Sequence, residues 1–106
     1  MKDSESKKEL PFRRSGPNLI ECEEGFSVEV LGRTGIRYRE GERTMSVDSE
    51  LLSSASPAGI AVWKNSIVRW LPPFENETIS EAKRLTILEN IRRAIQFAGD
   101  DIEVIG

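Results

Sequence analysis

Residues 36–48 constrain the fold most, because their strand pairing can be deduced from the residues alone. A two-residue turn at Gly41-Glu42 places glycine at the first central position of a type II′ turn, which requires a positive φ. This turn predicts four cross-strand pairs: Tyr38 with Met45, Ile36 with Val47, Arg37 with Ser46, and Glu40 with Arg43. Apolar residues then meet apolar residues, so we expect an antiparallel hairpin with one buried face.

Two further segments have strand character. Phe26, Val28 and Val30 alternate with polar residues, which indicates a half-buried strand, and the sequence GRTG at 32–35 is typical of a turn. A second hairpin is predicted from residues 59–63 and 66–70, joined at Lys64-Asn65. Both of its faces are apolar, whereas one helix can cover only one of them, so the other face needs a different cover.

The clearest helix signal lies near the C-terminus. The sequence TISE at 78–81 has the form of a capping box, and Gly99 fits a left-handed C-cap. The apolar residues between them recur at helical spacing: Leu85, Leu88, Ile91, Ile95 and Ala98. A helix over about residues 80–98 follows, and residues 102–105 form a short final strand, expected in the same sheet.

Together these elements predict an α+β fold, with a curved antiparallel β-sheet of about five or six strands packed on one long C-terminal helix. Residues 1–25 are polar and are expected to be a flexible N-terminal segment, and residues 26–106 are expected to form a single domain. The side chains expected in the core are Ile36, Tyr38, Val47, Ile67, Leu88, Ile91 and Ile95.

The residue types argue against an enzyme. The chain has no histidine and a single cysteine, and no glycine-rich phosphate-binding motif occurs in it. We therefore expect no catalytic residues, no cofactor and no metal site. Cys22 lies between acidic residues, which disfavour a thiolate, so we expect it to be inert. Asp48 with Glu50, and Glu75 with Glu77, have the spacing of paired carboxylates as used in glycosidases or metal-dependent nucleases. A hydrolase that holds a divalent metal with Asp48 and Glu50 is a weaker alternative, because eighteen acidic residues give such spacings by chance.

Charge and hydropathy limit the partners. The net charge is −3, with a pI near 5.1, which disfavours nucleic acid, and the basic residues of the helix lack interleaved aromatic side chains. No segment resembles a signal peptide or a membrane span, so no membrane partner is expected, and a cytoplasmic location is predicted. A basic protein partner fits better. The residues expected to contact it are Glu40, Glu42, Asp48, Glu50, Trp63, Trp70, Glu75 and Glu77. One of the two tryptophans is expected to be partly exposed in the free protein.

The order of several short motifs resembles that of a known family. The motifs are GIRYREG at 35–41, VDSEL at 47–51, NSIVRW at 65–70, PPF at 72–74, IS at 79–80 and NI at 90–91. In these the chain resembles immunity protein family 74 of bacterial polymorphic toxin systems. The resemblance implies an immunity protein that binds and neutralises a cognate antibacterial toxin encoded by a neighbouring gene, commonly in contact-dependent growth inhibition. The resemblance also implies a toxin of a class that includes nucleases with basic clefts.

Two functions from different classes remain open beside this one. The chain could be a self-associating structural or adaptor domain, in which the second apolar face of the predicted hairpin forms a homodimer. It could also be the metal-dependent hydrolase described above.

Overall fold

The computed structural model describes residues 11–32, 35–53, 56 and 58–106. Its elements in chain order are β1 (Phe12–Gly16), β2 (Leu19–Cys22), β3 (Phe26–Val30), β4 (Ile36–Glu40), β5 (Arg43–Val47), β6 (Ser49–Leu51), β7 (Ile60–Trp63), a 3-10 turn (Lys64–Ser66), α1 (Glu81–Phe97) and β8 (Ile102–Ile105). Strands β1 to β5 form an antiparallel five-stranded sheet in sequence order, and β6, β7 and β8 form a second, smaller sheet. This confirms the α+β class, the C-terminal helix and the final strand.

The hairpin of β4 and β5 confirms the predicted register in full. All four predicted pairs are present, and Arg39 opposite Thr44 completes the ladder. Gly41 has φ +63°, and no described residue other than glycine has a positive φ, as a type II′ turn with glycine first requires. On the inner face Ile36, Tyr38 and Met45 are fully buried. The alternation of apolar residues was therefore enough to fix this part of the sheet.

The N-terminal part of the described chain differs from the sequence expectation. Residues 12–16 and 19–22, expected within a flexible segment, form β1 and β2, which extend the large sheet beyond β3. Ile20 and Cys22 point to the core and are buried. Between them Glu21 lies on the outer face, where it accepts hydrogen bonds from Arg13. The charged side chains on the outer face of the large sheet obscure the two-residue period of β1 and β2 in the sequence. The first ten residues of the expected flexible segment lie outside the described residues.

The second predicted hairpin is wrong. β7 is present, but Lys64–Ser66 form a 3-10 turn instead of a hairpin turn, and residues 66–70 form no strand. The hydroxyl of Ser66 donates to the carbonyl of Trp63 (2.7 Å) and accepts from the amide of Asp48 (2.9 Å), which holds the chain in the turn. β7 instead pairs antiparallel with β6 and parallel with β8. The final strand therefore belongs to the small sheet and not to the large one.

The small sheet explains why residues 60–63 are apolar on both sides. β7 is its central strand, and Ile60 and Val62 belong to the hydrophobic core. Ala61 points the other way and is also buried, at 1% exposure. A central strand with a parallel neighbour is commonly apolar on both faces, so the second apolar face of residues 60–63 belongs to a central strand and not to a hairpin.

The helix α1 packs its buried side on the large sheet, where β2 and β3 are its main neighbours. Its cap is Ser80 rather than Thr78, and the hydroxyl of Ser80 accepts from the amide of Lys83 (3.1 Å). The predicted capping box is thus wrong by two residues, and Glu81 begins the first turn. Gly99, with φ +94°, ends the helix as expected, and the amide of Asp100 donates to the carbonyl of Ile95 (3.1 Å), which forms a Schellman motif.

The buried face of α1 is rotated from the predicted one. Leu88, Ile91 and Ile95 are buried as expected, as are the other four residues predicted for the core. The face also includes Ile87 and Ala94. Leu85 is 51% exposed and Ala98 is also exposed, so neither belongs to the core. Among the described residues, no helix has the length and apolar character needed to span a lipid bilayer.

Candidate partner-binding surface

Two of the six acidic residues predicted to meet a partner are bound within the fold. Glu77 accepts two hydrogen bonds from the guanidinium of Arg43, at 2.7 and 2.6 Å, and this pairing lowers the pKa of the Glu77 carboxyl. Arg43 in turn lies 4.3 Å from the centre of the Phe74 ring. Glu77 therefore fastens the loop before α1 to β5. A partner that recruited this carboxylate would have to break a bidentate ion pair.

Glu40 belongs to a polar network between the large sheet and the helix. One of its oxygens accepts from the hydroxyl of Tyr38 (2.8 Å), and the other accepts from the ammonium of Lys83. The Tyr38 oxygen also accepts from the side-chain amide of Asn90 (2.8 Å). Burial raises the pKa of the Tyr38 phenol above its usual value, so the neutral form persists. Glu40 thus positions α1 and is poorly placed for a partner.

The two tryptophans differ sharply in exposure. Trp70 is only 3% exposed, and its ring stacks on Tyr38 with centroids 6.3 Å apart. It is a core residue and offers little surface to a partner, contrary to its place in the predicted set. Trp63, at the end of β7, is half-buried. One tryptophan is therefore partly exposed in the free protein, as predicted.

Four predicted carboxylates remain available, at separate places. Glu42 is exposed in the turn between β4 and β5, and Glu75 is exposed in the loop that leads to α1. Asp48 and Glu50 are exposed on the segment that enters and forms β6. Within the described part of the chain, no hydrogen bond or ion pair to any of these four carboxylates is found.

The small sheet brings three of the predicted residues together. The amide of Trp63 donates to the backbone carbonyl of Asp48 (3.0 Å), so the two residues are neighbours across the strands. Two residues further along the sheet, Glu50 lies opposite Ala61. Ala61 and Trp63 alternate with the core-facing residues of β7, so their side chains point away from the core. Glu50, as the direct neighbour of Ala61, shares that side.

The same side carries a residue that the sequence reasoning missed. Glu103 in β8 lies opposite Ala61 from the other side, and Ile105 lies opposite Trp63. Glu50 and Glu103 are thus two strand spacings apart, roughly 10 Å. We call this side, formed by Glu50, Ala61, Trp63, Glu103 and Ile105, the outer face of the small sheet. The alternation of residues 102–105 pointed to an exposed Glu103, but only the parallel pairing with β7 places it near Glu50.

Charge is distributed unevenly between this part of the molecule and the rest. Residues 48–63 and 99–106, which contain the three strands of the small sheet, have no lysine or arginine. Their five acidic residues are Asp48, Glu50, Asp100, Asp101 and Glu103. The seven ion pairs of the described residues involve none of these five. These two segments therefore have a net charge of −5, and because the whole chain has −3, the remaining residues have a net charge of +2.

The basic side of the helix is largely neutralised. Arg93 donates two hydrogen bonds to the carboxylate of Glu24, at 2.9 and 3.0 Å, and this pairing lowers the pKa of Glu24. Lys83 is bound to Glu40 as described above, and Arg84 to Glu81 at 2.9 Å. These contacts fit the interpretation that the helix cations belong to a solvated face and do not form a phosphate-binding surface.

The residues considered for chemistry lie in different parts of the fold: Cys22 ends β2, Asp48 and Glu50 lie at β6, and Glu75 and Glu77 lie in the loop before α1. The thiol of Cys22 is buried and accepts from the amide of Glu24 at 3.4 Å. Within the residues that the structure describes, no three cysteine, aspartate or glutamate side chains lie close enough to hold a metal ion. A cleft of about 380 Å³ opens between the starts of β1 and β3 and is lined by both charged and aromatic side chains. It contains none of the predicted contact residues.

Comparisons with known proteins agree with the family suggested by the motifs. Neither a curated protein nor a solved structure matches the chain. Residues 27–105 match the family described as Immunity protein 74. The match extends from β3 to β8 and so includes the predicted hairpin, the small sheet and the helix. The chain belongs to the Immunity protein 74 family.

Proposed function

We propose that this chain is an immunity protein that binds a cognate antibacterial toxin, encoded by a neighbouring gene, and neutralises it. The observation that carries the proposal is the family match over residues 27–105. The chain acts by occupying the toxin and does not transform a substrate. Its place of action is the cytoplasm of the cell that it protects, in a polymorphic toxin system such as contact-dependent growth inhibition.

The charge distribution supports a basic toxin. Residues 48–63 and 99–106 have five carboxylates and no lysine or arginine, while Lys83, Arg84 and Arg93 of the helix are held in ion pairs. A surface of this kind attracts a positively charged cleft and raises the rate of association. A nuclease has such a cleft, because its substrate is a polyanion. We therefore propose a nuclease toxin as the partner.

The test is protection from the neighbouring toxin. The toxin domain encoded beside this gene is expressed in a sensitive host, with and without this chain, and growth is recorded. The purified pair is then examined by size-exclusion chromatography with light scattering. We expect restored growth and a stable complex of defined stoichiometry. Growth arrest despite full expression of the folded chain would refute the proposal.

The same chromatography separates the alternative of a self-associating domain. The inhibitor is expected to elute as a monomer at micromolar concentration and to change mass only when the toxin is added. A stable homodimer whose mass does not change when the toxin is added would favour the structural or adaptor function.

A further inference from the structure

We infer that the outer face of the small sheet is the surface that contacts the toxin, with Trp63 as its apolar anchor and Glu50 and Glu103 as its charged flanks. The inference rests on the proposed function and specifies where the partner binds. The partner surface that fits this face carries lysine or arginine side chains around an apolar depression.

The first support is charge complementarity. Residues 48–63 and 99–106, which contain the strands of the small sheet, have five carboxylates and no lysine or arginine, and the next cation along the chain is Lys64, which follows Trp63. Glu50 and Glu103 are exposed, and no described side chain pairs with either. Such carboxylates can accept hydrogen bonds from a partner without breaking a contact of the fold. By contrast, Glu40 and Glu77 would have to leave Lys83 and Arg43.

The second support is the position of Trp63. Tryptophan is enriched among the residues that dominate binding energy, and these residues usually lie near the middle of an interface with polar groups around them. Trp63 is half-buried, and it lies between the backbone of Asp48 on one side and Ile105 on the other. Of the two tryptophans it alone has surface to offer, because Trp70 is buried in the core.

The third support is rigidity. Trp63 lies on the central strand of the sheet, and its neighbours Ala61 and Val62 are almost fully buried. On one side the amide of Trp63 donates to the carbonyl of Asp48, just before β6, and on the other side Trp63 pairs with Ile105 of β8. A side chain on such a support loses little conformational entropy on binding, which favours affinity. Glu42 and Glu75 lie in a turn and a loop and lack this support.

A pair of double variants tests the inference. E50K/E103K reverses both charges of the outer face, and E42K/E75K makes the same change in net charge at exposed carboxylates elsewhere. The association rate with the purified neighbouring toxin domain is measured by surface plasmon resonance at two salt concentrations, together with the melting temperature. We expect E50K/E103K to melt as the original chain does but to associate at least tenfold more slowly at low salt. The control is expected to change by less than threefold.

A second measurement follows Trp63 directly. The chain is labelled with 5-fluorotryptophan and its two ¹⁹F resonances are assigned with the W63F variant. Addition of unlabelled toxin is expected to shift the Trp63 resonance and to leave that of Trp70 nearly unchanged.

The outcomes separate the inference from the proposed function. If the original chain binds and protects while E50K/E103K binds equally fast and Trp63 does not shift, the interface lies elsewhere and the inference is wrong. If the association rates of both double variants fall by the same factor, the effect comes from net charge alone, and the inference is also wrong. If the original chain itself fails to bind the toxin, the proposed function fails.

Discussion

Truncation of Ile91 tests whether the helix is oriented as the structure has it. Ile91 lies in the middle of α1 and is fully buried, so Ile91→Ala removes three carbon groups from the core. At about 0.8 kcal/mol for each group, the lost transfer free energy is about 2.5 kcal/mol. The cavity that remains adds to this, and large-to-small changes of this kind cost about 2–5 kcal/mol. We expect a loss of about 3–4 kcal/mol.

The matched control is Leu85→Ala on the same helix. Leu85 follows the same apolar spacing in the sequence but is 51% exposed. Alanine also has the higher helix propensity, so we expect a loss below about 1 kcal/mol. Urea unfolding followed by circular dichroism gives both free energies. In a domain of this size the melting temperature of I91A should fall by roughly 12–30 °C.

The comparison of these two variants is decisive. If L85A lost as much stability as I91A, the stripe predicted from the sequence would be the buried one, and the helix orientation described above would be wrong. A loss below about 0.5 kcal/mol for I91A would contradict both the helix orientation described above and the stripe predicted from the sequence, because Ile91 is buried in both.

Three further predictions concern caps and titrating groups. Ser80→Ala should cost about 1 kcal/mol in urea unfolding because the N-cap is lost, whereas Thr78→Ala should cost almost nothing. A larger loss for Thr78→Ala than for Ser80→Ala would show that Thr78 is the N-cap, as the predicted capping box requires. The pKa values of Glu24 and Glu77 are lowered in the folded state, so their stabilisation is present above pH 4.5 and is lost as pH falls through the folded values. The E24Q/E77Q variant should therefore show a shallower fall in melting temperature below pH 4.5, and an unchanged slope would argue against both ion pairs. The pKa of Tyr38 is raised in the folded state, so above pH 10 the phenol ionises in the unfolded chain first and the free energy of unfolding should fall. Tyr38→Phe should be less stable than the original chain at pH 7, but its stability should not fall in this way above pH 10.

The parts of the fold that could be predicted from the sequence are those in which local signals act alone. The β4–β5 register follows from a turn of two residues and from the alternation beside it, so all four predicted pairs are correct. The helix follows from its apolar spacing and its terminal glycine. Both depend on residues that are close in sequence.

The small sheet could not be predicted because it depends on pairing between distant segments. β8 joins β7 some forty residues after it in the chain, in parallel, and no local signal specifies such a partner. Trp63 was chosen as a contact because it is aromatic, and Glu50 because it is acidic and near a strand end. Only the register across Ala61 places Glu50 and Glu103 on one face. Trp70 and Glu40 meet the same criteria, but within the fold the Trp70 ring stacks on Tyr38 and the Glu40 carboxylate accepts a hydrogen bond from the Tyr38 hydroxyl.

Folding itself gains nothing from the negative charge of the outer face, which gives a final prediction. Glu50 and Glu103 lie on the same side of one sheet with Ala61 between them, and no cation of the described chain pairs with either. Like charges about 10 Å apart repel each other in dilute buffer, and salt at physiological strength screens most of that repulsion. E50Q/E103Q should therefore melt at the same temperature as the original chain or a few degrees higher at low salt, and the difference should vanish in 0.5 M NaCl. If the carboxylates served the fold through contacts to its backbone or side chains, the variant would melt lower at every salt concentration. A variant that is at least as stable as the original chain but binds the toxin more slowly would show that these two acids act in recognition and not in folding.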